Sequence, residues 1–256
     1  MTDQAPSNQA TLDLYLTGHQ VCSYQAERQT RSLFVDPLAP INGSHYQWLL
    51  ENGFRRSGRF IYRPACPNCR SCVPVRIPLA DFVPDRSQRR NRRLNAGLTI
   101  HLRPAAFDPE HYALYRTYLR ARHPDGAMAE GTEDNYRRFL LEPWGGETLF
   151  IEWRQGDRLV AVAVTDVLPA ALSAVYTFFD PADSDLAPGT HAVLGQVAEG
   201  RHRGLEHLYL GYWIDDCRKM RYKERFRPLE AWDGRQWRRY QRGEPVGHGP
   251  AGKRSA

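Results

Sequence analysis

A chain of 256 residues, 41% apolar and 25% charged, has room for one large domain or two modest ones around a real core. Its net charge of +6 is modest, but the arginines cluster, and a local positive field attracts phosphate or carboxylate partners. No apolar run reaches about 18 residues, which excludes a transmembrane helix. The N-terminus lacks the basic-then-apolar order of a secretion signal, and five cysteines, an odd number, make no tidy disulfide framework, so a reducing cytoplasm is expected.

In chain order, residues 1–11 are polar and expected to form a flexible tail. Leu12, Leu14 and Leu16 alternate with polar neighbours and predict a strand. Ser44 followed three residues later by Gln47 has the capping-box pattern, and Gly53 supplies a stop for that helix. Short strands are predicted at 60–63, 73–79 and 97–103, closing a first unit of roughly 100 residues. Asp108 with Pro109 reads as a helix cap, with Tyr112, Tyr115 and Leu119 on one face, and residues 123–131 as a loop. Thr132 opens a further helix that buries Tyr136, Phe139 and Leu140. Residues 148–153, 158–167 and 171–179 are β-branched and aromatic, separated by turn residues, and predict an antiparallel meander. A helix at 190–201 and a strand at 207–214 then require a parallel crossover and a mixed sheet. Beyond Tyr240 no apolar pattern remains, and 241–256 is expected to be disordered.

Residues 62–93 concentrate the chemistry. Cys66, Cys69 and Cys72 at two-residue spacing bring three thiolates within reach of one ion, and Cys22 can supply a fourth, a donor set that suits zinc or an iron–sulfur cluster. Cys217 reads instead as a core cysteine. Arg76 sits mid-strand among apolar residues and must find an anion, either Asp81 or Glu51 from the chain or a substrate carboxylate. Five arginines fall within the eight residues 86–93, and Arg92 and Arg93 read as a solvated helix face. Arg218, Lys219, Arg221 and Lys223 belong to a second basic run interleaved with aromatics, a composition able to hold phosphates and stack on unpaired bases. The helix start at 188–190 has one glycine, Gly189, too few for the amide cradle of a coenzyme A site, so an acetyl-CoA enzyme is disfavoured.

The runs YRPACPNCRSCVPVRI, PDRSQRR and YLGYWIDDCRKMRYKERFRPLE, with Cys22-Ser23-Tyr24, AVYTFFDP and Gly189-Thr190, closely resemble the bacterial aspartate/glutamate leucyltransferases, relatives of the arginyl-tRNA–protein transferases, over residues 12–240. Phe179 stands where tyrosine is common, and Ala187-Pro188 where Ser-Leu is usual. The resemblance implies an α+β fold: a smaller cysteine-bearing N-terminal α+β domain (12–103) joined to an acyltransferase-like, GNAT-like mixed sheet (104–240). It implies transfer of leucine from leucyl-tRNA to proteins beginning with Asp or Glu, marking them for N-end-rule degradation, with no cofactor needed for the chemistry and neither membrane nor DNA as partner. The acyl donor is already an activated ester, so positioning supplies most of the rate. Asp166 and Tyr176 are the candidates for orienting amine and ester; Tyr62, Arg63, Arg76, Ser87, Gln88 and Arg89 for holding the acidic acceptor; Arg218, Lys219, Arg221 and Lys223 for tRNA. The alternatives are arginyl transfer by the same mechanism and a non-catalytic binder of acidic N-termini.

Overall fold

A computed structural model of the chain describes residues 11–124, 126 and 130–247; the expected tails at 1–10 and 248–256, and loop positions 125 and 127–129, lie outside the described residues. Strands β1 (Leu14–Leu16), β2 (Gln20–Val21), β3 (Gln29–Thr30) and β4 (Ser32–Val35) precede helix α1 (Gly43–Glu51), followed by β5 (Arg55–Ser57), β6 (Phe60–Pro64) and β7 (Val73–Pro78). Helix α2 (Arg86–Leu94), β8 (Thr99–Pro104), α3 (Pro109–Arg122) and α4 (Glu133–Leu140) lead into β9 (Glu147–Gln155), β10 (Arg158–Val167) and β11 (Ala171–Phe179). A 3-10 turn at Pro181–Leu186, α5 (Pro188–His202), β12 (His207–Trp213), α6 (Arg218–Arg221), a second 3-10 turn at Tyr222–Arg225, β13 (Leu229–Trp232) and β14 (Trp237–Tyr240) complete the order.

The helix starts follow their caps. Asp108 accepts from the Glu110 and His111 amides with Pro109 in the first turn, and Thr132 forms a reciprocal box with Asn135, so α3 and α4 begin where the sequence places them. Helix α1 differs: Asn42, not Ser44, is its cap, accepting from the His45 amide at 2.9 Å. Gln47 is thereby released to accept from the Ala170 amide and donate to Glu51. A second box, Asp85 with Gln88, starts α2.

The predicted meander is present: β9, β10 and β11 pair antiparallel, and β12 returns through α5 to lie parallel to β11. The eight-stranded mixed sheet runs β14-β13-β7-β12-β11-β10-β9-β8, so β7, from the first hundred residues, sits between β12 and β13. The boundary expected at 103 thus falls within one continuous sheet. A four-stranded antiparallel sheet, β1-β4-β6-β5, and the ribbon β2-β3 stand apart. One face of the large sheet, carrying Phe150, Val162 and Val164, is covered by α3 and α4; the face carrying Trp153, Ala161 and Ala163 is covered by α5, against which α2 packs. Val246 is buried against the core cluster of Val73, Val75 and Leu229, so ordered packing continues past Tyr240, where a tail was expected. Among the described residues no helix is long and apolar enough to cross a membrane.

One ion pair ties the small sheet to the large one. Arg56, on β5, donates from Nε to Asp166 Oδ2 at 2.6 Å and from Nη2 to Oδ1 at 2.5 Å, with both side chains essentially inaccessible. The remaining valences are filled: Arg56 Nη1 donates to the Gly58 carbonyl at 2.8 Å, Thr148 Oγ1 donates to Asp166 at 2.7 Å, and Trp144 Nε1 donates to Thr148 at 2.9 Å. Breaking a buried pair strands a charge, so Arg56→Ala or Asp166→Asn is expected to cost ~3–5 kcal/mol. Urea titration of each variant measures this, and the loss should persist at high salt because a pair closed off from solvent is little screened.

Candidate functional site

The four cysteines expected as ligands do share one place. Cys22, Cys66, Cys69 and Cys72 line a cavity of about 230 Å³ together with Tyr24, Tyr62 and Tyr212. They are not arranged as a ligand set: among the described residues no group of three or more His, Cys, Asp or Glu could hold a metal ion. Each thiol has other company. Cys66 meets Thr30 Oγ1 at 3.4 Å and donates to the Arg31 carbonyl, while Cys69 lies 3.4 Å from Ser71 Oγ and receives the Arg28 guanidinium at 3.5 Å. Burial and the neighbouring thiols push Cys72 up to about 12, leaving it a thiol where a metal demands a thiolate. The residues do not fit the zinc or iron–sulfur centre that their spacing suggested.

Beside this cavity lies a residue that the sequence reading missed. Arg55 is half-buried, with its guanidinium carbon 5.6 Å from the Tyr212 ring centroid and 6.0 Å from that of Tyr62. Among the described residues no carboxylate pairs with it and no side-chain hydrogen bond engages its guanidinium. Its charge is felt by Tyr24 and Cys72 on the cavity side, and by Tyr222 and Lys223 on the other.

That other side is a split in the large sheet. Pairing of β11 with β12 stops at Ser173–Tyr209; beyond it β11 runs on to Phe179 and β12 to Trp213 with no further cross-strand pair among the described residues. Two irregularities bracket the split, a register shift at Val164/Thr165 between β10 and β11, and one at Tyr209/Gly211 between β12 and β7. Aromatic rings gather along the β11 side: Tyr118 lies 4.9 Å from Phe179 and 6.3 Å from Tyr176, and Phe139 5.2 Å from Tyr176. Burial raises the Tyr176 hydroxyl above its ordinary range, helped by Tyr118 and Tyr115, so it stays protonated at neutral pH. Helix α6 reaches across the end of α3, where Lys219 Nζ approaches His123 Nδ1 at 3.0 Å. Burial, Lys219 and Arg122 lower the His123 pKa and favour the neutral ring.

The remaining predicted residues scatter. Tyr62 stacks on Phe34 at 5.3 Å at the cavity wall, whereas Arg63, next along the strand, faces Asn52 and the Phe54 ring. Arg76 pairs with Glu230 at 2.8 Å, donates to the Tyr209 hydroxyl at 2.9 Å and packs 4.3 Å over Trp237; its acid is neither Asp81 nor Glu51. Asp81 binds Arg239 instead. Ser87, Gln88 and Arg89 bond around the start of α2: Ser87 donates to Asp85, Gln88 accepts from the Asp85 amide and donates across to the Arg225 carbonyl, and Arg89 donates to the Pro84 carbonyl. Asp166, enclosed by Arg56 and Thr148, has no open side for an amine. Of the second basic run, Arg218, Lys219 and Arg221 are exposed, but Lys223 is not: it is 4% accessible and its Nζ donates to the Tyr212 carbonyl at 2.5 Å. A phosphate cannot reach it. Cys217 is half-buried at the start of α6.

Comparison with known proteins adds to this geometry. The family models "Arginine-tRNA-protein transferase, N terminus" and "C terminus" match residues 20–90 and 110–233. A protein of Hahella chejuensis named aspartate/glutamate leucyltransferase is 48% identical over 225 residues, covering 88% of this chain and 96% of that one. A protein of the same name from Pseudomonas aeruginosa (strain LESB58) is 46% identical over 230 residues, covering 89% and 97%. Among solved structures, FemX superposes with a TM-score of 0.42 at 11% identity over 68% of this chain and 61% of that one.

Burial, with the Arg55 charge adding to it, lowers Lys223 from 10.5 to about 7. Between those values the unfolded chain binds the proton that the folded chain has shed, so folding stability rises with pH across this window and the burden is greatest below pH 7. Lys223→Met removes the titration, and wild type should gain about 2 kcal/mol relative to the variant between pH 7 and pH 9. Denaturant midpoints of both proteins at the two pH values test it; an unchanged difference would show that the ammonium keeps its ordinary pKa.

Proposed function

The chain belongs to the arginine-tRNA–protein transferase family, and from that premise we propose that it transfers leucine from leucyl-tRNA to the α-amine of proteins that begin with aspartate or glutamate. The observation that carries this reading is the 48% identity to a protein bearing the leucyltransferase name, at nearly full length of both chains. The leucine so added marks the recipient for degradation.

Three features of the molecule support it. The mixed sheet that opens between β11 and β12 suits a GNAT-like acyltransferase plan, in which an acyl group enters between splayed strands. The exposed Arg218, Lys219 and Arg221 suit a phosphate backbone, while the exposed Tyr222 beside them suits stacking on an unpaired terminal base. The cysteine-lined cavity on the far side of Arg55 gives the acceptor its own recess, with the N-terminal segment as the module that builds it.

The chemistry asks little of the protein. The acceptor amine, as the free base, attacks the ester carbonyl; the new C–N bond forms as the bond to the ribose oxygen breaks, that oxygen gains a proton and the amine loses one. Holding amine and ester together supplies much of the acceleration. Tyr176, kept protonated by burial, donates to the carbonyl oxygen as charge develops there. Asp166 acts at one remove: it fixes β5, and with it the wall of the acceptor recess.

Incubating the protein with an Asp-starting peptide and leucyl-tRNA, arginyl-tRNA or acetyl-CoA, then weighing the peptide, tests the proposal. One added leucine in the first arm alone is expected; arginine addition or acetylation would replace the reading. Replacing Arg218, Lys219 and Arg221 together with alanine should raise the KM for leucyl-tRNA and flatten the slope of log affinity against log salt by about 2–3, with kcat at saturating leucyl-tRNA retained.

A further inference from the structure

With one exception among the described residues, half-buried and buried guanidinium groups of this protein are held by acids or by backbone carbonyls: Arg31 donates to the Thr17 carbonyl, Arg63 to that of Asn52 and Arg116 to that of Gly131. Arg56 has Asp166, Arg76 has Glu230, and Arg154 has Glu110 and Glu152. Arg55 has two tyrosine rings and, among the described residues, neither a carboxylate nor a carbonyl on its guanidinium. A half-buried cation without a counter-charge is unfavourable, and it persists in a folded protein where something outside the chain completes it.

Position says what arrives. Arg55 precedes Arg56 on β5, and side chains alternate along a strand. The ion pair that locks Arg56 to Asp166 therefore also fixes Arg55 on the opposite face, aimed between the cavity lined by Tyr24 and Tyr62 and the split flanked by Tyr222 and Lys223. Gly211, at φ +74° beside the register shift in β12, faces the guanidinium: a Cβ there would lie 3.6 Å from Nη1. Glycine keeps that approach free of a side chain. A planar fork between two ring faces fits a carboxylate, which it can bind through two parallel hydrogen bonds.

We propose that Arg55 is the residue that selects an acidic first residue, its guanidinium taking the side-chain carboxylate of an N-terminal aspartate or glutamate at the point where the acceptor recess meets the split sheet. The inference rests on the acceptor class proposed above. It replaces Arg63, Arg76 and Arg89, whose guanidinium groups are engaged elsewhere.

The test compares wild type, Arg55→Gln and Arg55→Lys on peptides identical except for the first residue, Asp, Glu, Asn or Gln, at saturating leucyl-tRNA. Wild type should prefer Asp to Asn strongly. Arg55→Gln should lose about 10²–10³-fold in kcat/KM on the Asp peptide, the scale of a truncated desolvated charge pair, so that the Asp/Asn ratio falls toward one while the KM for leucyl-tRNA holds. Arg55→Lys should recover part of the ratio. Because no acid loses its partner, the thermal midpoint of Arg55→Gln should equal or exceed that of wild type, whereas a structural role predicts a drop. An undiminished Asp/Asn ratio in Arg55→Gln overturns the inference, as does loss of leucyl-tRNA affinity with the ratio kept, which would assign the guanidinium to a phosphate. Should wild type transfer no leucine to any peptide, the proposed function fails by itself. Calorimetric binding of the Asp peptide to wild type and Arg55→Gln without tRNA then still decides on Arg55: equal affinities would refute its role.

Discussion

The geometry of this protein depends on the buried contact between Arg56 and Asp166. It joins β5 of the small sheet to β10 of the large one across 110 positions of sequence, and the pair is further hydrogen-bonded by the Gly58 carbonyl and the Thr148 hydroxyl. A buried ion pair is no guarantee of stability, since desolvation offsets much of the attraction. Its value here is positional. Two sheets that meet through apolar surface alone can slide; a bidentate fork inside the junction admits one register. Because neighbours on a strand face opposite ways, the lock on one arginine sets the direction of the one before it.

The large sheet is continuous at its edges and interrupted in the middle. From β14 to β12 and from β11 to β8 the strands stay paired through local register shifts, yet β11 and β12 separate after three residue pairs. Lys223 occupies the same neighbourhood, satisfying the Tyr212 carbonyl with a side chain. Its pKa near 7 is the electrostatic cost of placing an ammonium in that environment beside another cation. The arrangement keeps the region cationic but lightly so, suited to a neutral ester on one side and a carboxylate on the other.

Much of the fold was legible. The meander, the crossover helix and the parallel return strand follow from β-branched runs, turn residues and helical spacing that are local in sequence. So do α3 and α4, whose caps lie within three residues of the helix starts. Several misses depend on partners far away. Gln47, expected to close a cap with Ser44, instead accepts from the Ala170 amide, 123 positions on, while Asn42 caps the helix. Arg76 found Glu230, 154 positions on, a pairing visible only once β7 is known to insert between β12 and β13. The site was legible in part. The cysteines do gather, and Arg76 does find an anion within the chain, but spacing could not show that the thiols fail to form a ligand set. Nor could it show which arginine lacks an acid. The signal for Arg55 was present as two consecutive arginines in a short strand, one of which had to face away from any shared partner.

The interruption in the sheet has a consequence for the backbone itself. Every residue but proline carries a donor and an acceptor on its main chain, and strands that part leave those facing the gap without each other. Between Ser173 and Phe179 on one side and Tyr209 and Trp213 on the other, such groups must be met by water, by a side chain as at the Tyr212 carbonyl, or by whatever enters the gap. The parted strands are therefore polar at their facing edges even though apolar residues cover the sheet above and below.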